Sequence, residues 1–253
     1  EVFMEKNVNP YLAIINKYNK FNPKLFKDLE YVKIHVAMGD FGKKTALIEK
    51  QTLNALNSAK AELESIGGKI TINSSVRNNL AQAYARAETF SKKLLKSGSL
   101  TQSIGEVKNT TAKVGYSEHT CGLAVDISVD MNGVVVPDNI KALNPDADEK
   151  KLNFLTRRHI MEKHGFILRY PVSPRLSEIT GVNKAEGWHW RYVGPEHSQM
   201  IAKLRERLGE EVFLEDYVEI LSYNLTANTE NELLDKYVEI FESQILKPNQ
   251  ITL

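Results

Sequence analysis

The chain reads as an α+β fold, a small antiparallel sheet flanked by helices, and three observations predict it. Apolar residues recur at helical spacing in several separate stretches. Short alternating or apolar runs, bounded by Gly, Pro, Asn and Asp, lie between them. Helices and strands come in mixed order, with a tight-turn signal joining two neighbouring strands, which favours α+β over a doubly wound parallel sheet. At 253 residues and 42% hydrophobic content the chain is long enough to bury a full core.

The elements follow in order. From Asn9 to Asp28 apolar residues (Tyr11, Leu12, Ile14, Ile15, Phe21, Leu25, Phe26) are broken by Pro10 and Pro23, as in an arm lying over a larger body. A helical period runs from about Ala46 to Ile66 through Leu53, Leu56, Ala59 and Leu63. Gly67-Gly68 ends it, since glycine tolerates the left-handed cap geometry. Lys69 to Ser74 alternates as a half-buried strand does, with Ile70 and Ile72 on one face. A second helix spans Asn79 to Ser97, and the polar stretch from Gly98 to Thr111 reads as loop.

Gly122 to Val129 is strand-like, and Asp130-Met131-Asn132-Gly133 turns it into Val134-Val135-Val136. A helix over Asn153 to Lys163 precedes a strand over Gly165 to Pro171, and Trp188 to Val193 is apolar enough for another strand. Pro195 to Leu208 is helical through Met200, Ile201, Leu204 and Leu208. The last helix, Asn228 to Leu246, opens on Thr229 and Glu232 as a capping box. Its stripe of Leu234, Tyr237, Val238, Phe241 and Ile245 is expected to dock on the body.

Formal charge is +1 but unevenly spread: residues 209–253 hold ten acids against two lysines, so residues 1–208 carry +9. A moderately basic body is compatible with an anionic partner such as nucleic acid or cell wall, and equally with a solvated surface that ends in an acidic tail. No Arg-rich run with interleaved aromatics is present, which argues against nucleic acid. Cys121 alone cannot form an internal disulfide, and no apolar run reaches the ~18 residues of a membrane span. The chain opens at Glu1 with no signal-peptide pattern, so a targeting segment removed from its start is the expectation.

The chemistry concentrates in two segments. Ser117-Glu118-His119-Thr120-Cys121-Gly122-Leu123-Ala124-Val125-Asp126 offers an imidazole and a carboxylate seven residues apart, with Gly122 letting the backbone turn between them. Glu186-Gly187-Trp188-His189-Trp190-Arg191-Tyr192 offers a second imidazole with a glutamate three residues before it. Two imidazoles and a carboxylate suit Zn²⁺ and leave its fourth position for water. A carboxylate that approaches without binding the metal can take that water's proton. Those are the parts of a hydrolase. Cys121 reads as a small packed residue. His159 and His164 flank a helix end, and His35 and His197 have no evident partner. Trp188 and Trp190 share a strand face opposite His189, which favours packing. Asn224-Leu225-Thr226 matches a glycosylation sequon by composition alone.

These segments resemble the zinc D-alanyl-D-alanine carboxypeptidases of the VanY type, within the larger group that includes lysostaphin-like peptidases and the hedgehog signalling domain. The pattern Ser-x-His-x-x-Gly-x-Ala-x-Asp is met by Ser117, His119, Gly122, Ala124 and Asp126. Glu-x-Trp-His-x-Arg-Tyr-Val-Gly is met by Glu186, Trp188, His189, Arg191, Tyr192, Val193 and Gly194. An upstream element, Ser-Gly-Tyr-Arg-Ser with a glutamine beyond, is matched by Ser74-Ser75-Val76-Arg77-Asn78 and Gln82, with Ser75 and Val76 in place of the usual glycine and aromatic. The similarity runs from about Pro10 to Leu221.

The resemblance implies a zinc site on the sheet, with His119, Asp126 and His189 as ligands and Glu186 as general base and acid. Arg77 would bind the substrate's terminal carboxylate or the developing oxyanion, and Ser117 and Gln82 would help seat the peptide terminus. It implies an arm over residues 1–36, a zinc peptidase domain over 37–221 and an acidic helical extension over 222–253. The expected activity is removal of the C-terminal D-Ala from peptidoglycan stem peptides, outside the cell. Three other readings compete: L,D-carboxypeptidase action on tetrapeptides, a non-catalytic cell-wall-binding module, and a different zinc amidohydrolase in which Arg77 lies remote from the metal.

Overall fold

A five-stranded antiparallel sheet carries the molecule's centre. It comprises β3 (Gly68–Ser74), β4 (Ala124–Met131), β5 (Val134–Val135), β6 (Phe166–Tyr170) and β7 (Glu186–Tyr192). The order is β3-β4-β7-β6, with β5 paired to β4. A separate hairpin pairs β1 (Tyr31–Ala37) with β2 (Lys43–Glu49). The computed structural model describes residues 9–37, 43–136, 148–209 and 212–246; the first eight residues of the expected arm and the last seven of the extension lie outside them.

Helices cover both faces of the sheet. On one face α1 (Lys50–Ser65) and α4 (Asp148–Lys163) supply Leu56, Ala59, Leu63, Phe154, Ile160 and Met161, packed against Val125, Ile127, Phe166, Leu168 and Trp190. On the other, Ile167 and Val193 meet α6 (Pro195–Leu208), α7 (Leu214–Ser222) and α8 (Glu230–Ile240). Strand β6 is buried along its whole length because it is covered on both sides. The stripe of α8 is turned inward as expected, with Leu234, Tyr237 and Phe241 buried; past Ile240 the backbone loosens into a π-helical turn.

The turn after β4 forms as read: Asn132 and Gly133 take φ of 54° and 86°, and Asp130 Oδ1 accepts the Gly133 N–H at 2.7 Å. Between them α2 (Asn79–Ser97) and the sheet also match the sequence reading. Several boundaries differ. The apolar triplet Ala46-Leu47-Ile48, read as the start of a helix, is strand because β1 alternates Val32, Ile34 and Val36 opposite it. The helix starts at Lys50, capped by Glu49, whose carboxylate accepts the Gln51 and Thr52 N–H groups at 2.8 and 2.7 Å. Glutamate is not a usual N-cap residue, so the boundary left no signal.

The supposed loop from Gly98 is helix α3 (Leu100–Thr110). Its inward face is Ser103 and Val107, and Ser103 Oγ bonds the Ser99 carbonyl at 2.7 Å; serine at that position hides the period. Short α5 (Leu176–Thr180) and α7 were not anticipated either.

Residues 9–30 lie across the body. Ala13, Ile15 and Phe26 pack on Cys121 and Leu123, and Arg191 Nη2 donates to the Ala13 carbonyl at 3.0 Å.

Candidate active site

Strand pairing assembles the site. Asp126 on β4 sits directly opposite His189 on β7, so the pleat sends both side chains to one face. His119 comes from the 3₁₀ turn Glu118–Cys121 just before β4. That turn closes at Gly122, whose φ is +77°. A Cβ there would come within 2.6 Å of the Tyr31 ring and 3.2 Å of the Glu49 nitrogen, so the loop needs glycine for conformation and for space.

His119, Asp126 and His189 each offer one ligand atom, all within 4.8 Å of one another. Asp126 Oδ2 lies 3.1 Å from His119 Nε2, and Asp126 Oδ1 lies 3.1 Å from His189 Nδ1. His119 Nδ1 meets the Ser75 carbonyl at 2.9 Å, which places the proton on Nδ1 and leaves Nε2 as a bare lone pair. That Nε2 is buried and makes no hydrogen bond of good geometry. An orphaned imidazole nitrogen beside a carboxylate and a second imidazole is the donor set of a zinc site with an open position.

Electrostatics agree with the geometry. Burial works to raise the Asp126 carboxyl, but His119 and His189 beside it hold it well below the usual carboxylate range. Burial pushes the His119 ring down, so it stays neutral. For His189 burial also works downward, yet hydrogen bonds to Asp126 and Glu118 push it up to about 9. Glu186 begins β7, its Oε2 4.0 Å from His189 Nδ1, and burial raises its carboxyl above the ordinary range.

Arg77 follows β3, its N–H bonded to the His119 carbonyl at 3.1 Å and its Nη2 3.6 Å from Asp126 Oδ2. Ser117 is buried immediately before the ligand turn. Gln82 lies on the first turns of α2 and uses its Nε2 on the Ala112 carbonyl at 2.8 Å. It thereby holds the loop that leads to Ser117, and its Oε1 is buried without a hydrogen-bond partner. The structure thus brings His119, Asp126, His189, Glu186 and Arg77 together.

The chain belongs to the VanY D-alanyl-D-alanine carboxypeptidase family. The VanY family model matches residues 45–195. Over 103 residues the chain is 37% identical to the bifunctional D-Ala-D-Ala dipeptidase and carboxypeptidase VanXYC of Enterococcus gallinarum, covering 41% of this chain and 50% of that protein. The chain therefore spans about half the length of this curated relative. The structure of VanYB in complex with D-alanine-D-alanine aligns with a TM-score of 0.59 at 25% identity, covering 83% of this chain and 97% of that one. A vancomycin-resistance D,D-pentapeptidase VanY mutant solved with Zn(II) has the same fold, with a TM-score of 0.59 at 23% identity over 83% of this chain and 99% of that one.

The VanY scaffold here contains site neighbours that sequence reasoning passed over. Glu118, between Ser117 and His119, is fully buried and meets Arg169 Nε at 2.9 Å and His189 Nε2 at 3.4 Å. Arg191, present in the second motif but given no role, lies 3.6 Å from the same carboxylate. Tyr170 packs its ring 4.9 Å from that of His189, and burial raises its hydroxyl far enough to keep it neutral. One signal was available: Arg169 interrupts an apolar strand, and a buried arginine demands a buried acid.

The remaining candidates take structural places. Cys121 is buried and bonds the Glu118 carbonyl, Trp190 packs in the core and Trp188 is half-buried. His164 meets Glu62 at 2.7 Å rather than a helix-end carbonyl, and His197 meets the Tyr217 hydroxyl at 3.0 Å. Among the described residues no helix is long and apolar enough to cross a membrane.

Proposed function

We propose that this chain is a zinc-dependent D,D-carboxypeptidase that removes the C-terminal D-Ala from peptidoglycan stem peptides outside the cell. One observation carries the reading. Two buried imidazoles and a half-buried carboxylate, with donor atoms within 4.8 Å of one another, share a centre, and the carboxylate of Glu186 and the guanidinium of Arg77 stand at its edge. His119, through Nε2, Asp126 and His189, through Nδ1, would hold the ion. When bound, zinc supplies Lewis acidity toward the scissile carbonyl and toward water.

Glu186 does the proton work. Its carboxylate, raised by burial, takes a proton from the attacking water and returns it to the departing D-Ala amine. Arg77 keeps its charge near Asp126, where it would stabilise the negative charge gathering on the carbonyl oxygen. Ser117 and the loop held by Gln82 border the place where the peptide terminus would rest. The amidohydrolase reading required Arg77 to be remote, and its Nη2 lies 3.6 Å from Asp126. The binding-module reading leaves Glu186 and Arg77 without a task.

Defined pentapeptide and tetrapeptide stems, incubated with and without a chelator and read by mass, test this. The expected result is D-Ala released from the pentapeptide, lost on chelation and restored by zinc. Cleavage of the tetrapeptide alone makes the chain an L,D-carboxypeptidase. Muropeptide binding with zinc present and no product makes it a binding module.

A further inference from the structure

Glu118 has no part in the chemistry described above, yet its buried carboxylate stands directly behind the His189 ring. We infer that Glu118 is a positioning residue for the metal centre: it accepts the Nε2–H of His189, fixes that ring's tautomer and turns Nδ1 toward the ion. The inference rests on the zinc-peptidase reading and deepens it.

The argument is one of donors and acceptors. A metal-bound neutral imidazole keeps one proton, and that proton needs an acceptor when the ring is buried. His189 has its Nδ1 3.1 Å from Asp126 and its Nε2 3.4 Å from Glu118 Oε2. His119 solves the same problem in mirror image, with Nδ1–H to the Ser75 carbonyl and Nε2 toward the centre. The two rings would therefore bind through opposite nitrogens, each choice set by a buried acceptor on the far side.

The two oxygens of Glu118 divide their duties. Oε1 receives Arg169 Nε at 2.9 Å, with Arg191 Nη1 3.6 Å away. Oε2 is left for His189. With both guanidiniums on the Oε1 side, Oε2 faces the His189 Nε2 at 3.4 Å and can accept its proton. Arg169 is fixed in turn by a bidentate pair to Glu215 of α7 at 2.9 and 2.6 Å, and Glu215 also accepts from Asn16 Nδ2 at 2.8 Å. The ring is thus braced through Glu118 and Arg169 to the acidic C-terminal region and the N-terminal segment.

Zinc affinity separates positioning from plain structural support. Glu118→Gln offers one acceptor oxygen where the carboxylate offers two, so it cannot serve both Arg169 and His189. Competition with a chromophoric chelator should give zinc binding about 10–100-fold weaker. Cobalt substitution should give an altered d–d spectrum. Glu215→Gln breaks the same charge cluster one step further out; it should lower the melting temperature while zinc affinity stays within about threefold. Wild-type zinc affinity and cobalt spectrum in a folded Glu118→Gln protein overturn the proposal.

If that variant does not fold, the zinc-loaded wild type decides, with ¹⁵N-labelled histidines. A proton on His189 Nε2 supports Glu118 in this role; a proton on Nδ1 overturns it. A wild-type chain that binds no zinc at all sinks the parent reading instead, so the two failures are told apart.

Discussion

Stripping the ion from the protein should leave His189 with a pH signature of its own. Burial works to lower this ring, but hydrogen bonds to Asp126 and Glu118 push it up to about 9, against about 6.5 in the unfolded chain. Because the folded value is the higher one, the imidazolium's contribution is fully present below about 6.5 and is lost as pH rises through 9. Between pH 6.5 and 8.5 that loss amounts to about 2 kcal/mol, nearly 1.4 kcal/mol per unit once the unfolded state has released its proton. Below 6.5 the sign reverses: His119 and His197 are held low by burial, so their neutral forms stabilise the fold less as pH falls. The thiol of Cys121, pushed up by burial, acts only above its ordinary range, which closes the window at about 8.5. Urea unfolding of chelator-treated protein at pH 6.5, 7.5 and 8.5, with an unchanged m-value, reads the slope. Repeating it with zinc should reverse the trend, since the ion competes with the proton on Nδ1. A metal-free midpoint that is flat or rises across this window refutes the reasoning, as does a slope that survives in His189→Gln.

Other perturbations separate the roles of the remaining residues. Glu186→Gln should retain zinc and lose about 10²–10⁴ in turnover, and a zinc-loaded variant with full activity would remove Glu186 from proton transfer. Arg77→Lys keeps the charge but loses the planar fork; steady-state kinetics on the pentapeptide should show kcat falling with KM nearly unchanged, whereas a rise in KM alone would assign Arg77 to the terminal carboxylate. Gly122→Ala imposes a left-handed φ of +77° and a Cβ 2.6 Å from Tyr31, so thermal unfolding should register a loss of at least about 2 kcal/mol, or roughly 4–8 °C. Phe241→Ala empties a fully buried position beneath α6 and α7; denaturant unfolding should show a loss of about 3–5 kcal/mol, and a loss under 1 kcal/mol would mean the C-terminal helix is not docked in solution.

The sequence spoke most clearly where residue type and spacing are dictated by chemistry. A zinc site admits few donors, so His119, Asp126, His189 and Glu186 could be named as candidates before any fold was known, and the pairing of Asp126 with His189 then brings them to one face. Helices with an apolar stripe, such as α1 and α6, were legible for a similar reason. What stayed hidden had no local signal. In the hairpin β1–β2, strand β2 depends on pairing with the strand just before it, which overrides the helical reading of Ala46-Leu47-Ile48. Helix α3 turns a serine inward, and α1 is capped by a glutamate. Neither choice follows from propensity.

Glu118 was hidden by a different cause. Counted as charge, it is one acid among 32, and Glu215 is one of ten in a segment that reads as a solvated acidic tail. Burial changes what each one is. A carboxylate in water contributes little to stability, whereas one sealed between two guanidiniums cannot be removed without stranding them, at a cost of about 3–5 kcal/mol. The same low-dielectric surroundings that make the cluster costly to break also make it rigid, and rigidity is what a ligand ring needs from the group behind it. Arg169 unites these demands: through Glu118 it fixes the back of His189, and through Glu215 it ties that ring to α7 and to Asn16. The acidic C-terminal region is therefore joined to the candidate metal site by a chain of charge-assisted hydrogen bonds, and its net charge of −8 conceals Glu215, the acid that makes this connection.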